Sequence, residues 1–171
     1  QVAVETAGTV FNANNQQLVF ESKSFIVGTD GKANGDIVRF NNVITIGGQA
    51  IDAVVTTALP GGATVSTYDG TSAGGTANFF GPDLNITAPT NVGDVNGVRF
   101  KIDFYLGGTY SGIGTGTAVT LQNVVVNSYD IDSTSGTSSQ RQVQDFKGFS
   151  RYELSTSTQL TTTTQADGSV R

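Results

Sequence analysis

The stretch Val98-Arg99-Phe100-Lys101-Ile102-Asp103-Phe104-Tyr105-Leu106 alternates along almost its whole length. Side chains of an extended chain point to opposite faces in turn. Val98, Phe100, Ile102 and Phe104 therefore share one face, and Arg99, Lys101, Asp103 and Tyr105 share the other. This pattern predicts a half-buried β-strand, with Phe100, Ile102 and Phe104 in a core and Lys101 in solvent. The Asn96-Gly97 pair just before it is a hairpin signal, because both residue types tolerate positive φ.

Shorter runs of the same kind lie on either side. Residues 17–20, 25–27, 37–40, 43–46, 51–57, 119–129, 143–146, 150–155 and 159–164 are rich in β-branched and aromatic residues. Gly, Asn, Asp and Pro cluster between them, where turns need them. Residues 61–97 are the least regular part. The Gly-rich stretch 107–116 reads as a loop and not as a phosphate loop, since no Lys-Ser/Thr follows it. Composition points the same way: 24 Thr, 19 Val and 22 Gly stand against 7 Leu and 3 Glu, a balance that disfavours helices. About ten to twelve short strands, with turns every 8–12 residues or so, predict an all-β chain with the architecture of a two-sheet antiparallel β-sandwich or jelly roll. The 171 residues fit a single domain, 1–171, with extended terminal strands at about 1–11 and 159–171.

Nine basic residues against 14 acidic give a net charge of −5, and only 13% of residues are charged. Without a basic patch, nucleic acid is not an expected partner. There is no Cys, His, Met or Trp, which excludes thiolate chemistry, Ser–His or Cys–His catalysis and imidazole–zinc sites. Glu5, Glu21 and Glu153 do not sit beside the aromatic density of a sugar-cleaving cleft, so an enzyme is not expected. No apolar run is long enough to span a membrane, and no signal peptide is expected within these residues. An opening Gln1 fits a processed secreted protein or a fragment. High Thr, Ser, Gly and Asn with few charges point to a secreted or cell-surface location.

Several groups are candidates for chemistry. Asp130 and Asp132 lie at i and i+2, so on a strand both carboxylates face one way, beside a loop rich in carbonyls and hydroxyls. Calcium takes six to eight such oxygens, which makes Asp130 and Asp132 the candidate ligands and Asp52 the next. The alternative is a solvated Asp pair at a strand end. Asn85-Ile86-Thr87 is a glycosylation sequon. Tyr68, Tyr105, Tyr110 and Tyr129 are either stacking surfaces for sugars or ordinary packing.

The terminal segments form a further candidate. Val2, Val4, Val10 and Phe11 at one end, and Leu160 and Thr162 at the other, lie in β-prone runs; residues 155–165 hold neither charge nor Pro. Proteins normally blunt strand edges with such residues. The strands either pair inside their own chain, with Asp167-Gly168 as the turn, or complete the sheet of a neighbouring copy by β-augmentation.

Two longer series of residues resemble known modules. Gly35-Asp36-Ile37-Val38-Arg39-Phe40-Asn41-Asn42-Val43 followed by Ile51-Asp52-Ala53-Val54-Val55-Thr56 resembles the opening of a β-sandwich module. Tyr129-Asp130-Ile131-Asp132 and then Phe146-Lys147-Gly148-Phe149-Ser150-Arg151-Tyr152 resemble its ending. Such modules occur in large bacterial extracellular proteins, including calcium-dependent adhesins of the RTX type. The resemblance implies a secreted, calcium-stabilised, non-enzymatic sandwich used in adhesion or surface assembly. Gln142 stands where that pattern has a Glu, which lowers the charge of any calcium site.

The expected function is therefore a non-enzymatic structural or adhesive protein, a building block of a surface filament (a fimbrium or biofilm fibre) or of an adhesin. Its partner is itself, as a homo-oligomer. The rival is a calcium-dependent cell-adhesion module directed at a surface glycan or peptide, with residues 61–97 or 107–116 forming the site.

Overall fold

The computed structural model describes residues 8–70, 78–87, 96–126, 144–149, 151–154, 156–158 and 160–171. The chain divides into two compact units, 1–125 and 126–171. Among its described residues the first contains eight strands: β1 (Thr9–Asn12), β2 (Lys23–Val27), β3 (Ile37–Ile46), β4 (Gln49–Ala58), β5 (Thr64–Thr67), β6 (Asp83–Asn85), β7 (Arg99–Leu106) and β8 (Ala118–Gln122). Six form one sheet in the order β1-β8-β7-β4-β3-β2, and β5 and β6 form a second. There is no helix among the described residues, so the all-β reading holds.

The large sheet is built around the β3–β4 hairpin. Its loop is Gly47-Gly48, both at positive φ (59° and 80°), between the paired residues Ile46 and Gln49. A two-residue loop with two positive φ angles matches the twist of the strands it joins, and Gly adopts it without strain. Ile37–Ile46 is one strand rather than the two expected, because Asn41-Asn42 forms a bulge and not a turn. Asn42 reaches φ 50° there, which Asn tolerates better than other residues with a side chain.

The expectation of purely antiparallel sheets is corrected at one place: β1 runs parallel to β8. Parallel neighbours need a long connection, and here nearly the whole unit connects them. The second correction is that residues 17–20 form no strand; the segment runs beside β3 with isolated bonds such as Val19 N–H to the Val43 carbonyl (2.8 Å).

One face of the large sheet carries the main core. Val38, Phe40, Ile51, Ala53 and Val55 are fully buried there, and Val65, Tyr68 and Phe20 pack against them. Aromatic rings knit this core together in edge-to-face contacts, with centroids 5.1 Å apart for Phe20–Phe40 and for Phe80–Phe100. Phe100 and Phe104 pack on the core as expected, but Ile102 is 39% exposed. The cause is local: β8 pairs with β7 at Phe104 and Tyr105 alone, so no β8 residue is paired opposite Ile102. Tyr68 and Tyr110, weighed above as sugar-stacking surfaces, are buried packing residues.

In the second unit the C-terminal segment folds back on itself. Thr163 and Arg171 exchange backbone hydrogen bonds (2.7 and 2.9 Å) around an Asp167-Gly168 turn, and Phe146 and Val170 exchange another pair (2.8 Å each). This is the intrachain alternative given above for the terminal run.

Truncating Phe40 to Ala should cost about 3–5 kcal/mol, as for other buried Phe residues. Ile102→Ala should cost about 1 kcal/mol and Lys101→Ala at most about 0.5 kcal/mol. Urea unfolding of the three variants measures this order, and an Ile102 cost equal to that of Phe40 would contradict the exposed position.

Candidate functional site

The second face of the large sheet carries a smaller cluster centred on a buried carboxylate. Ile37, Val54 and Tyr110 are buried there, with Ile26 and Tyr105 against them. Asp52, expected as a third calcium ligand, is 2% exposed on β4 beside this cluster. Its Oδ1 accepts the backbone N–H of Asn42 (2.8 Å) and its Oδ2 the backbone N–H of Gly108 (2.8 Å). Arg39 Nε lies 3.9 Å from the same Oδ2, and the Arg39 guanidinium donates to the Tyr110 carbonyl. A buried charge persists only when paired and hydrogen-bonded, and Asp52 meets both conditions. The carboxylate thus ties the β3 bulge, β4 and the Gly-rich loop after β7 to one point. Among the described residues no three or more Asp and Glu gather as a metal cluster. Asp130 and Asp132 lie outside the described residues, as do Val2, Val4, Tyr129 and Gln142.

The Asn41-Asn42 bulge forms one wall of a groove of about 580 Å³. The other wall is Gln16, Gln17, Val19, Glu21 and Ser22, and Val43, Ile44 and Thr45 complete the lining. Asn14 and Asn15, both at φ 57°, turn the chain ahead of Gln16, and Gln16 N–H bonds to the Ala13 carbonyl (2.9 Å). Asn41 Nδ2 donates to the Ser22 carbonyl (3.1 Å) and to Ser24 Oγ (3.3 Å). Asn42 Oδ1 accepts from Thr45 Oγ1 (2.9 Å). The groove walls are therefore held by hydrogen bonds, and carboxamides dominate them.

Neither of the loops expected to hold a ligand forms this groove; of its lining, the sequence marks Glu21 only as a hydrolytic carboxylate and Asn41-Asn42-Val43 only by a resemblance. The available signal was Asn41-Asn42 within an apolar run, which also fits a plain turn.

Of the remaining candidates, Asn85 is exposed in β6, opposite Thr64. Val10 is 51% exposed on β1, while Phe11 packs on the core. Leu160 and Thr162 belong to the second unit, where Tyr152 Oη and Thr162 Oγ1 are 3.1 Å apart. Burial, reinforced by the Asp69 carboxylate, pushes the Tyr68 phenol well above its ordinary value. Its hydroxyl lies near Thr57, whose own hydroxyl donates to the Gly31 carbonyl (2.7 Å). No family model, curated protein or solved structure matches the chain.

Asp52→Ala should destabilise the protein by about 3–5 kcal/mol, since it strands Arg39 and two backbone donors. Chemical denaturation measures it, and a loss below about 1 kcal/mol would show that the three segments hold without the carboxylate. A second prediction concerns pH. The Ser169 hydroxyl and backbone N–H, with Lys147 nearby, hold the Asp167 carboxyl at about 2, below its ordinary 3.8. A carboxylate held low stabilises the folded turn above pH 3.8, and that contribution is lost as the pH falls through about 2. An NMR titration should find Asp167 titrating in that lower window together with the Ser169 amide; titration near 3.8 would refute the turn geometry.

Proposed function

We propose that this protein is a non-enzymatic structural or adhesive component of the cell surface. It is a sandwich-type β module that assembles with copies of itself by strand addition. One observation carries this reading. β1 ends the six-stranded sheet with one side paired to β8, and Thr9-Val10-Phe11-Asn12 holds neither charge nor Pro. The opposite edge, β2, has the usual protection: a bulge between Phe25 and Val27, and Lys23, which pairs with Asp69 at 3.3 Å. Among the described residues β1 is the one bare edge of this sheet, and such an edge pairs most directly with the same edge of a second copy. Low charge and the absence of His and Cys support a structural rather than a catalytic role. The packing of Val65 and Tyr68 onto the large-sheet core supports the sandwich architecture. The Thr-, Ser-, Gly- and Asn-rich composition supports a secreted or surface location.

Val10→Lys tests the assembly. Val10 points away from the core and is half exposed, so the change adds a charge to the edge without opening the core. The wild-type chain should sediment as concentration-dependent oligomers, and the variant should remain a monomer with an unchanged melting temperature. A wild-type chain that stays monomeric at high concentration would overturn the reading.

Calcium enters this reading only through Asp130 and Asp132. Binding to the folded state alone would raise the melting temperature by mass action. A rise in millimolar calcium that is abolished by Asp130→Asn is the expected result. A melting temperature indifferent to calcium and to chelator would remove the metal from the proposal.

A further inference from the structure

The groove between residues 16–22 and the β3 bulge is an open depression whose lining is mainly polar. Four of its lining residues carry carboxamides: Gln16, Gln17, Asn41 and Asn42. A carboxamide presents two donors and an acceptor together, which is what a sugar's hydroxyl groups require. Asn41 and Asn42 spend only part of that capacity inside the protein. The bonds of Asn41 use its Nδ2, leaving Oδ1 to accept, and the bond of Asn42 uses its Oδ1, leaving two Nδ2 donors. Gln16 and Gln17 are exposed and make no side-chain hydrogen bonds among the described residues. Glu21 is the one charged side chain in the lining, and no Lys or Arg is there, so phosphate and sulfate have no counter-charge. Val19 is the one apolar lining residue that is not fully buried, so hydrogen bonding rather than ring packing is what this groove offers.

We propose that this groove binds a neutral oligosaccharide. A peptide added as a strand fits it less well, because the backbone groups it would need are already used. The Val43 carbonyl accepts Val19 N–H (2.8 Å), and Asn41 N–H donates to the Ser22 carbonyl (2.7 Å). The floor of the groove is preorganised by Asp52, which holds the Asn42 backbone through its N–H. The inference goes beyond self-assembly and is independent of it, because the groove belongs to a single copy and does not include β1.

The test is an NMR titration of the full chain carrying Val10→Lys, with maltotriose, cellotriose and triacetylchitotriose as probes. Inorganic phosphate and a capped neutral tetrapeptide are the controls. At least one saccharide should shift the side-chain amide signals of Gln16, Gln17 and Asn42 saturably, and the controls should not. Asn42→Gly removes a carboxamide while keeping a residue at ease with positive φ. Combined with Gln17→Ala it should weaken binding at least about fivefold, as expected for lost hydrogen bonds. Gln17→Ala alone, an exposed change, repeats the test should the double variant melt early. The proposal fails if no saccharide shifts these signals, if the shifts lie elsewhere, if the variants bind unchanged, or if phosphate or the peptide gives the same response.

Discussion

One buried carboxylate sets the geometry of the large sheet. Asp52 takes a backbone N–H from a bulge on one side and from a loop on the other, with Arg39 supplying the counter-charge. It joins the two strands of one hairpin to a loop 56 residues further along the chain, and two of these segments have backbone that no regular ladder would satisfy. Asn42 and Gly108 both have positive φ, at 50° and 74°. A regular strand cannot accommodate such residues, so each needs a partner from elsewhere. The same contact therefore closes the second face of the sheet and fixes the wall of the carboxamide groove.

This dependence explains what could be read from the sequence. Alternation over residues 98–106 revealed a strand because β7 has one face on the core, and Phe100 and Phe104 follow that pattern. Gly47-Gly48, in the Gly-rich gap between the runs 43–46 and 51–57, forms a two-residue hairpin loop. Ile102 departs from the pattern because its exposure depends on where β8 leaves β7, which is a matter of register between strands. Asp52 read as a possible metal ligand for a similar reason. A carboxylate in a strand looks alike whether it faces a cation or two N–H groups, and only the fold brings Asn42 and Gly108 to it. The groove was invisible for the same cause: Gln16 and Asn42 are distant in sequence, and polar residues in a loop and a bulge give no periodic signal.

The two edges of the large sheet differ in a way that composition alone does not express. β2 is guarded by an ion pair and a bulge, and β1 by neither. The proposed assembly and the proposed saccharide groove use different parts of the unit, one an edge and the other a loop-lined wall. Under the proposed assembly, a copy joined to its neighbours through β1 still presents the groove to its surroundings.

The parallel pairing of β1 with β8 has a mechanical consequence. The chain enters β1 at Thr9 and leaves β8 at Gln122, and the two strands run side by side in the same direction. Tension applied through these two ends pulls parallel neighbours past one another. The paired residues, from Thr9↔Val119 to Asn12↔Gln122, are loaded together in shear instead of being peeled apart one at a time. An antiparallel pair pulled at adjacent ends would open like a zipper, one bond after another. The single parallel ladder therefore lies where it can act as a clamp when force runs along the chain through this unit.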